Sequence, residues 1–167
     1  MQRYVMSIIV DNLAGVLSRV SGLFARRGYN IDSLSVGETE DKTVSRITIA
    51  VTCDADSFDQ IRKQVEKLVD VKEVFELSPK ESVYRELALI KIKVDSKNRV
   101  EIVGIVDIFR ANIIDVSTTS ITVVITGDES KTQAFMQIME PYGILEIART
   151  GLTGLRRGLA SESFGER

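Results

Sequence analysis

The sequence predicts an α+β protein built from two successive βαββαβ units. Three observations predict it. β-branched alternating stretches are interleaved with apolar stripes at helical spacing, a short polar stretch around Pro79 divides the chain near its middle, and the second half repeats the order of the first.

Arg3 to Val10 is rich in β-branched residues and reads as a strand, with Val5, Ser7 and Ile9 on one side and Tyr4, Met6, Ile8 and Val10 on the other. Asp11-Asn12-Leu13-Ala14-Gly15 forms a turn-like loop. Val16, Leu17, Val20, Leu23 and Phe24 then recur as one face of a helix, and Gly28 suits the residue just past its end. Ile31 to Glu38 is a second strand, joined by Glu40-Asp41-Lys42 to a third, Val44 to Thr52. There Ile47, Ile49 and Val51 alternate with Arg46, Thr48 and Ala50, the period of a half-buried antiparallel strand. Asp54 or Asp56 caps a helix carrying Phe58, Ile61, Val65 and Leu68, and Val71 to Leu77 closes the unit.

The boundaries expected are residues 1–78 for the first domain, 79–82 for a linker and 83–167 for the second domain with a glycine-rich tail. In the second half Leu87–Val94 is a strand and Asn98–Phe109 a helix, followed by strands Ile113–Val116 and Ile121–Thr126. A helix then starts at Asp128 or Ser130, and Ile144–Ala148 is the last strand. The stretch from Phe24 to Asp32 is echoed by that from Phe109 to Asp115, each a helix end feeding a strand, which points to internal duplication. Each unit is then a ferredoxin-like split βαβ, a four-stranded antiparallel sheet with two helices on one face. The tail from Thr150 has no helical or strand period. Units this small bury a modest fraction of their surface, and the first strand is apolar on both sides, so the helix-free faces are expected to meet a partner. Lys91 and Lys93 read as an exposed face or an edge guard, and Arg156-Arg157 as solvated charge.

Composition narrows the chemistry. The chain has no histidine, the commonest general base and metal ligand, and one cysteine, Cys53, too few for a disulfide or a cysteine zinc cluster. No nucleophile–base pair assembles around histidine, so no catalytic and no metal-binding residues are expected. A net charge of -2 and 6% aromatic residues argue against nucleic acid, as does the lack of aromatics on Val44–Thr52. No apolar run approaches the ~20 residues that span a bilayer, and the first residues lack the features of a signal peptide. A cytoplasmic location without membrane contact is therefore expected. No nucleotide-cradling glycine motif occurs.

The most informative stretch is Asp11-Asn12-Leu13-Ala14-Gly15-Val16-Leu17. It leads a strand into the start of a helix, where free N–H groups and the helix dipole favour an anion such as a carboxylate. Gly15 lets a ligand or another chain approach the backbone, and the Asn12 amide both donates and accepts. By the dipole argument, aspartate at position 15 is expected to be tolerated by the fold, provided that Gly15 is not held at positive φ. On spacing alone, the plainer reading is a capped helix start with a turn glycine. Asn30, between Gly28 and the second strand, reads alone as a turn residue.

The motif Asn12-x-x-Gly15-Val16-Leu17-Ser18-Arg19-Val20, then Gly22-Leu23-Phe24 and Arg27-Gly28-Tyr29-Asn30-Ile31-x-Ser33-Leu34, resembles the ACT-domain family. More narrowly it resembles the small regulatory subunits of acetohydroxyacid (acetolactate) synthases. Ser45–Ile49 and Lys67–Val71 extend the likeness through the first half, and Arg85–Lys91, Phe109–Val116 and Ala148–Gly151 through the second. The resemblance implies a chain without catalysis of its own that activates a separate catalytic subunit holding thiamine diphosphate, Mg²⁺ and FAD. It implies feedback inhibition by a branched-chain amino acid, usually valine, bound at the interface of a homodimer. The loop Asp11–Leu17 of one copy then faces Asn30-Ile31 of the other. The corresponding loop of the second half, Asp95-Ser96-Lys97-Asn98-Arg99-Val100, lacks a glycine where Gly15 falls and is not expected to bind the effector in the same way.

Overall fold

The computed structural model describes residues 1–158, which form two compact units. Met1–Val83 and the stretch beginning at Leu152 make the first, and Tyr84–Gly151 the second.

The first unit runs β1 (Gln2–Asp11), α1 (Val16–Arg26), β2 (Ser33–Glu38), β3 (Val44–Cys53), α2 (Ala55–Val65), β4 (Val71–Glu76). Its antiparallel sheet has the order β2-β3-β1-β4. Register places Tyr4, Met6 and Ile8 opposite Val51, Ile49 and Ile47, so one pleat face is continuous apolar surface. Val16, Val20 and Phe24 of α1 and Phe58, Ile61 and Val65 of α2 close over it. Each large side chain buried there contributes roughly 1.5–3 kcal/mol. Gly28, at φ 70, ends α1: its N–H reaches Ala25 O (3.1 Å) and the Tyr29 N–H reaches Phe24 O (3.0 Å). That pair of bonds is the left-handed helix stop expected of this glycine. Asp54 caps α2 by accepting from Ser57 N at 2.8 Å.

The second unit repeats the plan: β5 (Ser82–Lys93), α3 (Arg99–Ile108), β6 (Asn112–Val116), β7 (Ser120–Gly127), α4 (Glu129–Met139), β8 (Ile144–Arg149). The strand order β6-β7-β5-β8 matches that of the first sheet. Ala88, Ile90, Ile92, Ile121, Val123 and Ile125 pack against Ile102, Val106, Phe135 and Met139. Asp128 caps α4 through Lys131 N at 2.9 Å. The echo of Phe24–Asp32 has a structural counterpart. Arg110, at φ 52, stops α3 with the same two bonds, Arg110 N to Asp107 O and Ala111 N to Val106 O, each 3.0 Å. Lys91 and Lys93 lie on an inner strand, so they guard no edge, and Lys91 pairs with Glu146 at 2.8 Å.

Beyond Gly151 the structure departs from the expected division. Leu152 belongs with the first unit, not with a domain 83–167, and a short strand, β9 (Thr153–Arg156), follows it. Leu152 N donates to Ser33 Oγ (2.8 Å), and Leu152 O accepts from Ser35 Oγ (2.9 Å). Ser33 and Ser35 pair with Ala50 and Thr48, which pair with Val5 and Ser7, and Ser7 pairs with Phe75. All seven therefore share the pleat face turned away from the helices. Arg156, expected to be simply solvated, lays its guanidinium over Phe75, 4.1 Å from the ring centroid. The tail thus crosses the helix-free face from β2 to β4. That accounts for the burial of Val5, Ser7, Thr48 and Ala50, each 7% exposed or less. The face expected to await a partner is covered by the chain's own tail. β5 also begins at Ser82, inside the expected linker, and β9 pairs with it.

Candidate functional site

The candidate loop connects the last residue of β1 to α1, and its strand ends hold it in place. Asp11 N donates to Asp70 O (2.9 Å) and Asn12 N to Thr43 O (2.8 Å). The Asn12 side chain is fixed as well: Nδ2 donates to Lys42 O at 2.9 Å and to Glu38 Oε1 at 3.2 Å. With the amide nitrogen so engaged, Oδ1 is the end of Asn12 left to accept. Asp11 pairs with Lys72 at 2.9 Å, a contact that raises the Lys72 pKa. Arg19 grips Asp70 at 2.6 Å.

Gly15 is the N-cap of α1 at φ 86, ψ -11, and supplies no capping side chain. The condition set on an aspartate there is thus not met, because an L-residue is strained in this conformation. A Cβ would also lie 3.1 Å from Arg19 Nη1. The first turn of α1 carries no acidic residue. Among the described residues, the amides of Gly15, Leu17 and Ser18 have no hydrogen-bond partner. Leu13, Ala14 and Leu17 are exposed around these donors and Val16 is buried beneath them. This is a solvent-facing cluster of N–H groups at the positive end of a helix, suited to a carboxylate.

Asn30 is exposed, and Ile31 is half-buried against the first core. The structure does not bring them to the loop within one chain. Thr52, which hydrogen-bonds Asp32 at 2.7 Å, pairs with Arg3, whereas Asp11 pairs with Val44. Arg3 and Asp11 are eight residue steps apart along β1, about 27 Å at ~3.4 Å per step. The two groups of candidates therefore occupy opposite ends of the sheet.

The equivalent loop in the second unit is closed by its own carboxylate. Asp95 Oδ1 accepts from Lys97 N (2.7 Å) and Asn98 N (3.0 Å), and Asn98 Oδ1 accepts from Asp95 N (2.8 Å). The two backbone bonds hold the Asp95 carboxyl below the usual aspartate range. An aspartate thus occupies the amides leading into α3, including that of the N-cap residue Asn98, whereas the N-cap amide of α1 at Gly15 has no such carboxylate. Glu38, Lys42 and Thr43, which position Asn12, come from 26 to 31 residues further on, and no local sequence pattern marks them.

Residues 6–73 match the family model described as the AHAS small subunit-like ACT domain. Residues 85–158 match that of the small subunit of acetolactate synthase. The chain is 46% identical over 155 residues to the acetolactate synthase small subunit of Mycolicibacterium smegmatis, covering 93% of this chain and 91% of that one. The chain belongs to the acetolactate synthase small-subunit family. The small subunit of Bacillus subtilis is 45% identical, covering 92% of this chain and 90% of its own. A crystal structure of the small subunit from Thermotoga maritima superposes with a TM-score of 0.87 at 41% identity, over 96% of this chain and 100% of that one. Both units are thus those of a small subunit with a ferredoxin-like ACT fold, and the role that comes with the family is regulatory. Among the described residues no helix is long and apolar enough to cross a membrane.

Proposed function

We propose that this chain is the non-catalytic, effector-sensing partner of a separate acetolactate synthase catalytic subunit. It activates that subunit, and it imposes feedback inhibition when a branched-chain amino acid, valine first, binds the β1–α1 loop. The observation that carries this reading is the open start of α1: uncapped amides beside Gly15, flanked by an Asn12 whose nitrogen is tied back to Lys42 and Glu38. These amides take the effector's carboxylate, and Asn12 Oδ1 accepts from its ammonium group. Leu17, together with Ile31 from a second copy, flanks the aliphatic side chain. Because Asn30 and Ile31 lie at the far end of the sheet, the site is completed across a homodimer. The thiamine diphosphate, Mg²⁺ and FAD of the reaction belong to the catalytic partner, and a cytoplasmic location fits a biosynthetic pair of this kind.

The test is acetolactate formation from pyruvate by the cognate catalytic subunit, alone and mixed with this chain. It is run with and without valine, leucine and isoleucine, beside calorimetric titration of each amino acid into this chain. Stimulation on mixing, reversed by an amino acid that binds this chain, is expected. Equal rates with and without this chain would refute the reading.

A further inference from the structure

Besides the pairing of β9 with the start of β5, the tail that crosses the first sheet is held at both sheet edges, each with its own chemistry. At the β2 edge the hold is on main chain. Ser33 Oγ receives the Leu152 N–H at 2.8 Å and Ser35 Oγ donates to the Leu152 carbonyl at 2.9 Å, so two hydroxyls on alternate residues replace the bonds of a neighbouring strand. At the β4 edge the hold is the Arg156 guanidinium on Phe75. Four strands span three gaps of about 4.8 Å, roughly 14 Å, and the four residue steps from Leu152 to Arg156 cover nearly the same distance at ~3.4 Å each. The strap is thus pulled straight between its anchors. Leu152 is 4% exposed, while Thr153 and Leu155 face outward.

The hydroxyl clamp also has a notable position in sequence. Ser33 and Ser35 lie on the strand that Asn30 and Ile31 lead into. Asp32 is pinned to the sheet between them, its N–H on Ala50 O at 2.9 Å and its carboxylate on Thr52 Oγ1 at 2.7 Å. Asn30-Ile31 are thus joined to the two serines by one short, hydrogen-bonded stretch.

We propose that the Ser33/Ser35 clamp on Leu152 is the output of the effector site: occupancy at Asn30-Ile31 changes the grip of β2 on the strap, and the strap passes that change to the chain segments joined to it. This rests on the effector reading above, and it assigns Ser33 and Ser35 a transmitting role distinct from binding.

Hydrogen exchange of the Leu152 amide in the full-length protein, with and without saturating valine, tests it. Calorimetry on the same samples reports binding. Wild type and Ser33→Ala/Ser35→Ala are compared, with Arg156→Ala as a second variant that loosens the far anchor without touching β2. In the wild type, valine is expected to change Leu152 exchange several-fold. In the double variant, exchange is expected to be fast in either state, by roughly five- to tenfold per hydroxyl removed. Valine affinity then shifts by no more than the factor by which valine changes Leu152 exchange in the wild type, because the coupling is reciprocal, while inhibition of the reconstituted synthase becomes at least about tenfold weaker. The coupling is overturned if valine binds the wild type yet leaves Leu152 exchange unchanged, or if the double variant is inhibited as the wild type is. Absence of binding heat with valine, leucine and isoleucine would overturn the effector reading itself, and the coupling with it. The titration tells the two failures apart.

Discussion

Gly15→Asp and Gly15→Asn form a matched pair that isolates the charge at the start of α1. Both introduce a side chain of the same shape at φ 86, where glycine is at ease and other L-residues lose about 1–2 kcal/mol. Asparagine and aspartate are the residues that tolerate this region best. Either Cβ meets Arg19 Nη1 at 3.1 Å. The guanidinium is half-exposed and held by Asp70, so it gives way at modest cost. Stability should therefore fall by a similar 1–2 kcal/mol in both variants, roughly, read from urea denaturation. Effector affinity should not fall equally. An added carboxylate about 4 Å from the effector's carboxylate repels it by about 4 kcal/mol at an effective dielectric near 20, and by about 1 kcal/mol in bulk water. The loop is exposed and Arg19 is near, so the lower part of that range applies, and each ~1.4 kcal/mol is a factor of ten. Calorimetry should show Gly15→Asp binding valine at least about tenfold more weakly than Gly15→Asn. Equal affinities in two folded variants would mean that no carboxylate binds at the start of α1.

Four further outcomes are expected. Arg110 stops α3 at φ 52, so Arg110→Gly should raise stability by about 1 kcal/mol, measured by urea denaturation; a loss would show that its side chain matters more than its backbone. Glu86 is 3% exposed and Arg149 38% exposed in their 2.8 Å ion pair, so Arg149→Ala, which strands a buried carboxylate, should cost about 3 kcal/mol. Glu86→Ala leaves a guanidinium that regains water and should cost about 1 kcal/mol, and the reverse order would refute the desolvation argument. The carboxyls of Asp54 and Asp128 are held below their ordinary value of 3.8 by bonds to the helix starts they cap. Their contribution is complete above that value and is lost as pH falls through the lower folded values, so Asp54→Asn/Asp128→Asn should flatten the acid limb of a stability–pH curve. Burial pushes the Cys53 thiol up, with Asp54 and Asp32 adding to it, so alkylation at pH 8 should be slow until the protein is denatured.

The regular elements were legible because their periods are set by burial on one face. Met6, Ile8, Ile47 and Ile49 point to the helices and are fully buried, as alternation required. Gly28 was readable as a helix stop because glycine is the usual solution there. The strap was not. Leu152, Gly154 and Arg156 face inward, one apolar, one without a side chain and one charged, so no hydrophobic period exists to find. Its anchors are hydroxyls more than a hundred residues earlier, and serine alternation on an edge strand looks like an ordinary polar face. For the loop, residue types pointed to the open helix start. Gly15 takes its positive φ in a loop whose flanks are tied by long-range contacts, Asn12 to Thr43 and Arg19 to Asp70, which local sequence does not encode.

The strap makes the first unit discontinuous along the chain, which matters while the protein is being made. Residues 1–83 emerge first, but Leu152–Arg156 follow only after the 68 residues of Tyr84–Gly151 (151 − 84 + 1) have been synthesised. At ~5–20 residues per second that delay is about 3–14 s. For that time the nascent chain carries a sheet whose second face, Val5, Ser7, Thr48 and Ala50, is bare. A message cut short before codon 152 leaves it so permanently, and such a product is a substrate for chaperones and proteases even though every strand and helix of its first sheet is present.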